Sequence, residues 1–96
     1  MSEMISCSNG RCTLQGPVTI ASVQSLLEEG ARSITAAEVT VDLGGVTEVD
    51  STAVSLLLEW RRQAAAASRT VRYVNLPPNL RSLAELYGVT ELLGKT

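Results

Sequence analysis

Val46-Thr47-Glu48-Val49-Asp50-Ser51-Thr52-Ala53-Val54-Ser55-Leu56-Leu57-Leu58 is where an apolar strand gives way to a helix, with an aspartate and two adjacent hydroxyls at the junction. Side-chain oxygens at such a position accept from the free N–H groups of the first helical turn, and the same N-terminus attracts anions. From Ser51 the pattern predicts a helix to about residue 67. A turn of about 100° per residue sets Ser51, Thr52, Ser55, Glu59, Arg62 and Gln63 on one polar arc, and Ala53, Leu56, Leu57, Trp60 and Ala64 on the apolar side. One face is core, and the other is available to a partner.

Working outward, Glu38 to Leu43 alternates as a strand that Gly44-Gly45 is expected to close. Residues 4–8 and 11–16 read as two strands joined at Asn9-Gly10, a strong short-range hairpin signal, with Gly16-Pro17 as punctuation. Val18-Thr19-Ile20 is β-prone, and from Ala21 the spacing of Val23, Leu26 and Leu27 predicts a helix ending at Gly30. Thr70 to Asn75 alternates again, and Pro77-Pro78 precedes a last helix over residues 79–87 that buries Leu80, Leu83, Ala84 and Tyr87 and stops at Gly88. Residues 89–93 form a tail able to pack back on the core. The order β-β-α-β-α-β-α predicts an α/β domain over residues 1–96, a mixed sheet of an N-terminal hairpin plus βα units, covered largely on one side by helices.

Several functions are excluded by composition. The net charge is −2 and only three residues are aromatic (Trp60, Tyr73, Tyr87), so there is neither the basic footprint nor the stacking platform of a nucleic-acid binder. Histidine is absent, which removes Ser-His and Cys-His catalytic pairs, and two cysteines are too few for a metal cage. No G-x-x-x-x-G-K-[ST] loop is present, so nucleotide hydrolysis is not expected; neither is an enzyme, a cofactor or a metal. The start Met1-Ser2-Glu3-Met4-Ile5 lacks a basic and apolar leader, and no stretch reaches membrane-spanning length, so the expectation is a cytoplasmic protein. Cys7 and Cys12 would face each other across the hairpin, but disulfides are rare in that compartment and the thiols are expected to stay reduced. Trp60, between the two arcs, reads as core with its indole N–H reaching water or a carbonyl; Arg61-Arg62 reads as a solvated helix face.

The segments Val41-Asp42-Leu43, Val49-Asp50-Ser51-Thr52-Ala53 and Leu56-Leu57-Leu58, in this element order, resemble the STAS domain family over about residues 12 to 93. Within it, Leu14-Gln15-Gly16-Pro17, Leu56 to Trp60 and Leu83 to Val89 are most similar to the MlaB type, small cytoplasmic STAS subunits of Mla ABC systems that move phospholipid between the membranes of Gram-negative envelopes. The resemblance implies binding to an MlaF-like ABC ATPase subunit beside its helical region, support of its activity, and a location peripheral to the inner-membrane transporter. It points to Asp50, Ser51, Thr52, Ser55 and Glu59 as partner-binding residues, with Ser51 supporting the ATPase, and it makes a rim contact by Tyr87 compatible with the helix end. In sigma-regulating relatives the hydroxyl at the Thr52 position accepts a phosphoryl group, so the alternative is an anti-sigma-factor antagonist switched at Thr52. Ala53 stands where those relatives usually carry glycine, and the chain is therefore expected to be largely unphosphorylated.

Overall fold

The computed structural model describes residues 5–89. Its elements follow the predicted order: β1 (Ile5–Ser8), β2 (Arg11–Val18), α1 (Val23–Ser33), β3 (Glu38–Val49), α2 (Ser51–Ala66), β4 (Thr70–Val74) and α3 (Pro78–Leu86). One four-stranded sheet runs in the order β1-β2-β3-β4. β1 pairs antiparallel with β2, while β2/β3 and β3/β4 are parallel and joined by the crossovers through α1 and α2. Asn9 and Gly10 both have positive φ (52° and 79°), as a two-residue hairpin turn requires.

Alternation along the strands sorts the two faces of the sheet. Cys12, Leu14, Val39, Val41, Leu43 and Tyr73 point into a single core with Leu26 of α1, Leu56, Leu57 and Trp60 of α2, and Leu80 and Ala84 of α3. The opposite face carries Arg11, Gln15 and Arg72, which are exposed, and Thr13, Thr40 and Asp42, which are half-buried. On this open face Asp42 ties three strands together. Its Oδ2 accepts from Arg11 Nη2 at 2.9 Å, and its Oδ1 accepts from the Gly44 N–H at 2.8 Å and from Asn75 Nδ2 at 3.1 Å. The Gly44 N–H and the Asn75 amide, with Arg11 beside them, hold the carboxyl below the usual carboxylate range. On the core side, the Tyr73 hydroxyl donates to the Leu57 carbonyl at 2.7 Å, fastening β4 to α2, and burial pushes the phenol's pKa far above its ordinary value.

Several boundaries differ from the sequence reading, each for a local reason. β3 does not close at Gly44-Gly45 but runs on to Val49. Its register against β2 passes from Thr13/Asp42 to Gln15/Gly45 and then from Gly16/Val46 to Pro17/Glu48, so β3 carries extra residues at two bulges. A Cβ at Gly45 would stand 3.2 Å from the Leu14 carbonyl oxygen, the close backbone approach that a bulge glycine permits. β2 likewise continues through Gly16-Pro17 to Val18. β1 pairs only with residues 11–14, so the missing N–H of Pro17 breaks no ladder with β1.

α1 passes through Gly30 and ends at Ser33. Gly30 is there for packing, because a Cβ would overlap the indole of Trp60 and come within 2.7 Å of its Cζ2. Trp60 is core, as expected, at 2% exposure, and its indole N–H has no protein hydrogen-bond partner among the described residues. α3 buries Leu80 and Ala84 with Leu83 half-buried, but Tyr87 is exposed rather than packed. Val89 packs against the core, while the rest of the predicted tail lies outside the described residues. Cys7 and Cys12 are not free thiols. They face each other in register and are joined by a disulfide, their Cα atoms 4.0 Å apart, because opposite residues approach most closely at such a ladder position.

The Gly30–Trp60 contact makes a direct prediction. Gly30→Ala would gain helix propensity of roughly 0.5–1 kcal/mol on an open surface. Here it is expected to lower stability by about 1–3 kcal/mol through overpacking, read as an earlier urea midpoint; an unchanged or later midpoint would show that the two helices do not meet at this glycine.

Candidate functional site

The C-terminal ends of the parallel strands β2 and β3 bring two loops together, and Asp50 joins them. Asp50 is the N-cap of α2, with extended backbone (φ −132°, ψ −171°). Its Oδ1 accepts from the Thr52 N–H at 2.9 Å and also from the Thr52 hydroxyl. Its Oδ2 accepts from the Ile20 N–H at 3.0 Å, which fixes the segment between β2 and α1 against the start of α2. The Thr52 hydroxyl and the Ile20 N–H are the main causes that hold the Asp50 carboxyl below its ordinary range, so the cap is ionised at neutral pH.

Because the aspartate does the capping, the hydroxyls behind it are released for other contacts. Ser51 and Ser55 are exposed and Thr52 is half-buried. The Thr52 hydroxyl donates a hydrogen bond to Asp50, which leaves an oxygen lone pair to accept from a visiting donor. All three line a groove of about 310 Å³ between α2 and the end of α3, whose other walls are Val54, Leu58, Tyr87 and Val89. The groove therefore has hydroxyls along one side and an apolar remainder. Of the groove's walls Tyr87 is 53% exposed, and it is one of three large apolar side chains open to solvent among the described residues, with Ile20 and Leu86.

Four of the five residues singled out in the sequence thus converge: Asp50 as organiser, and Ser51, Thr52 and Ser55 on the groove wall. Glu59 shares their helix face but does not line the groove. It accepts from Arg62 Nε at 3.0 Å and Gln63 Nε2 at 3.2 Å, and the Arg62 hydrogen bond lowers its pKa. Leu58, Leu86 and Ile20 were not singled out in the sequence, since an aliphatic side chain beside a buried stripe reads as core until the packing is known. Among the described residues no His, Cys, Asp and Glu side chains cluster to hold a metal ion, and no helix is long and apolar enough to cross a membrane.

Comparison with known proteins places this geometry in context. The family model described as "Mlab, STAS domain" matches residues 4–94. Among solved structures, the anti-sigma factor antagonist SpoIIAA in its unphosphorylated form superposes with a TM-score of 0.72 at 15% identity, covering 91% of this chain and 81% of that one. The crystal structure of Mglu matches with a TM-score of 0.60 at 19% identity over 77% of this chain, and Mglu in its native form with 0.57 at 16% over 73%. This chain spans only 19% and 22% of those two chains. At such identities these likenesses show the fold. No curated protein matches the chain in sequence.

Asp50→Asn removes the charge and one acceptor together, since asparagine caps about as well as aspartate but its NH2 cannot also accept from the Ile20 N–H. A carboxyl with a depressed folded pKa contributes stability above its unfolded value of about 3.9, and that contribution is lost as the pH falls through the folded value. Asp50→Asn is therefore expected to melt below the wild type near neutral pH, with the gap closing below about pH 4. Parallel melting curves at every pH would mean that the carboxylate does not organise this end of the domain.

Proposed function

Starting from the premise that this chain belongs to the STAS domain family, by a family match that runs through nearly its whole length, we propose that it is a non-enzymatic docking subunit of an Mla-type ABC system. In this reading the N-terminal half of α2 binds the MlaF-like ATPase subunit and supports its activity, in the service of intermembrane phospholipid transport and outer-membrane lipid asymmetry. The protein sits in the cytoplasm, peripheral to the inner-membrane transporter. The observation that carries the proposal is the groove beside Ser51, Thr52 and Ser55, where hydroxyls face an apolar wall that includes the solvent-exposed Tyr87. Interfaces of this kind are built from an apolar centre with polar groups that fix register. The Mlab description of the matching family model favours an ABC partner.

The mechanism is differential binding. A subunit without chemistry of its own shifts an ATPase toward its active arrangement only by the difference in its affinity for the two states. The groove does this if a side chain of the active arrangement fits between α2 and α3 and hydrogen-bonds the Ser51 and Thr52 oxygens.

A second reading, an anti-sigma-factor antagonist switched at Thr52, is favoured by the SpoIIAA-like fold and by the Thr52 hydroxyl being held by Asp50. A phosphoryl group on Thr52 would stand against the Asp50 carboxylate, and its new charge on the contact face would repel a partner.

Two measurements separate the readings. Ser51→Ala combined with Thr52→Ala leaves the Asp50 cap on the Thr52 N–H intact, so the isolated double variant is expected to lose no more than about 1–2 kcal/mol of stability while stimulating the ATPase far less than wild type. Normal stimulation by the folded variant would remove the hydroxyls from the contact. Intact-mass analysis of protein from its native cell is expected to show no dominant addition of about 80 Da, the mass of a phosphoryl group. A dominant phosphorylated species, or stoichiometric recovery of an anti-sigma kinase in place of an ABC ATPase, would establish the second reading instead.

A further inference from the structure

The hairpin holds a pair of sulfurs that docking at α2 leaves unused. Cys7 of β1 and Cys12 of β2 are ladder partners joined by a disulfide, and their surroundings are unequal. Cys7 is exposed, whereas Cys12 is 1% exposed and belongs to the core. Beside the bond lies a recess of about 280 Å³ lined by both cysteines, the Asn9-Gly10 turn, and Thr35, Ala36 and other residues at the end of α1 and the start of β3. None of its lining residues is charged.

We propose that Cys7 and Cys12 form a reversible thiol–disulfide exchange site, at which Cys7 is the sulfur attacked by an external dithiol and Cys12 the sulfur released.

The bond is poorly placed to be a staple. In the chain-entropy picture a cross-link stabilises more the longer the loop it closes, growing with the logarithm of loop length, and this one spans a sequence separation of only 5. That loop is already closed by a turn whose two residues both adopt positive φ, by the Ser8/Arg11 and Ser6/Thr13 pairs, and by Ile5 and Leu14, which meet in the core. The hairpin persists without the bond. In the reduced chain Cys12 remains as a small apolar side chain, which a thiol does well, and Cys7 remains at the surface.

Access decides the direction of attack. An incoming thiolate reaches the sulfur of Cys7 from solvent, while the sulfur of Cys12 is shielded by the core. The thiolate forms a bond to Cys7 Sγ, the Cys7–Cys12 bond breaks, and its electron pair leaves on Cys12 Sγ, which takes a proton. The second thiolate of the same dithiol then attacks its own sulfur in the mixed disulfide. Cys7 leaves as thiolate and is protonated. Two electrons and two protons pass to the chain, and the dithiol becomes a disulfide. The site also lies at the start of β2, whereas Asp50 and the groove stand where β2 and β3 end, so exchange and docking do not compete for surface.

The test uses the whole folded protein, dithiothreitol as the dithiol and no denaturant. Mass analysis after iodoacetamide quenching is expected to show complete reduction, with alkylation on Cys7 alone; Cys12 is alkylated only once the chain is unfolded. Diamide, which takes up the two electrons and two protons, is expected to restore the intramolecular bond. Cys7→Ser is expected to fold and to show no dithiothreitol-dependent mass change. The proposal is overturned if the bond resists dithiothreitol until the protein is unfolded, if reduction abolishes the folded circular-dichroism signal, if Cys12 is alkylated as readily as Cys7, or if diamide yields only intermolecular dimers.

Discussion

One carboxylate organises the end of this domain where β2 and β3 finish. Asp50 is placed where β3 ends, and its two oxygens act on different neighbours: Oδ1 caps α2 through Thr52, and Oδ2 holds the Ile20 N–H from the other crossover. Two loops that follow adjacent parallel strands are thereby fixed to each other and to the start of the helix. With the Thr52 N–H taken by the aspartate, the Ser51 and Ser55 hydroxyls make no hydrogen bond among the described residues, and the Thr52 hydroxyl is used only as a donor. Without that cap the same hydroxyls would be drawn into satisfying the helix's own N–H groups.

The sheet supplies the other constraint. Parallel strands are usually covered on both faces, but here the helices share one face and the other carries Arg11, Thr13, Thr40, Asp42 and Arg72. Polar side chains, cross-linked through Asp42, take the place of a second helical layer. The helical layer is closed by contact of α1 with α2 at Gly30 and Trp60, and by the Tyr73 hydroxyl on the Leu57 carbonyl. α2 is thus held from below and from one side. Its exposed arc and the end of α3 are left to form the groove.

The period of the sequence made the elements legible, while its punctuation misled at specific residues. The apolar set Ala53, Leu56, Leu57, Trp60 and Ala64 is buried in the predicted arc, and the Asn9-Gly10 turn lies where its chemistry demands. Glycine and proline each have more than one use, and the sequence does not say which applies. Gly44-Gly45 serves a bulge within β3, Pro17 lies where β1 no longer pairs with β2, and Gly30 admits an indole. The meeting of Asp50, Ser51, Thr52 and Ser55 at one end of α2 was legible because a cap residue and the helical period fix where such side chains lie. The groove's apolar members Val54, Leu58 and Val89 were not, since exposure of an aliphatic residue depends on what the neighbouring element covers. The facing of Cys7 and Cys12 could be read from the turn, but not the bond between them, which also depends on redox conditions.

The central claim is that the α2–α3 groove, not the open sheet face, meets the partner. Hydrogen exchange of this protein with and without the ABC ATPase measures it most directly. Amides of the first turn of α2 lie outside the regular i to i−4 ladder, held only by the Asp50 cap, and exchange more readily than the helix interior unless covered. Protection is predicted in peptides covering Ser51 to Leu58 and Leu86 to Val89, with no change across Arg11 to Gln15 and Thr40 to Asp42. Protection of those strand segments with α2 and α3 unchanged would contradict the account and move the interface to the open face of the sheet.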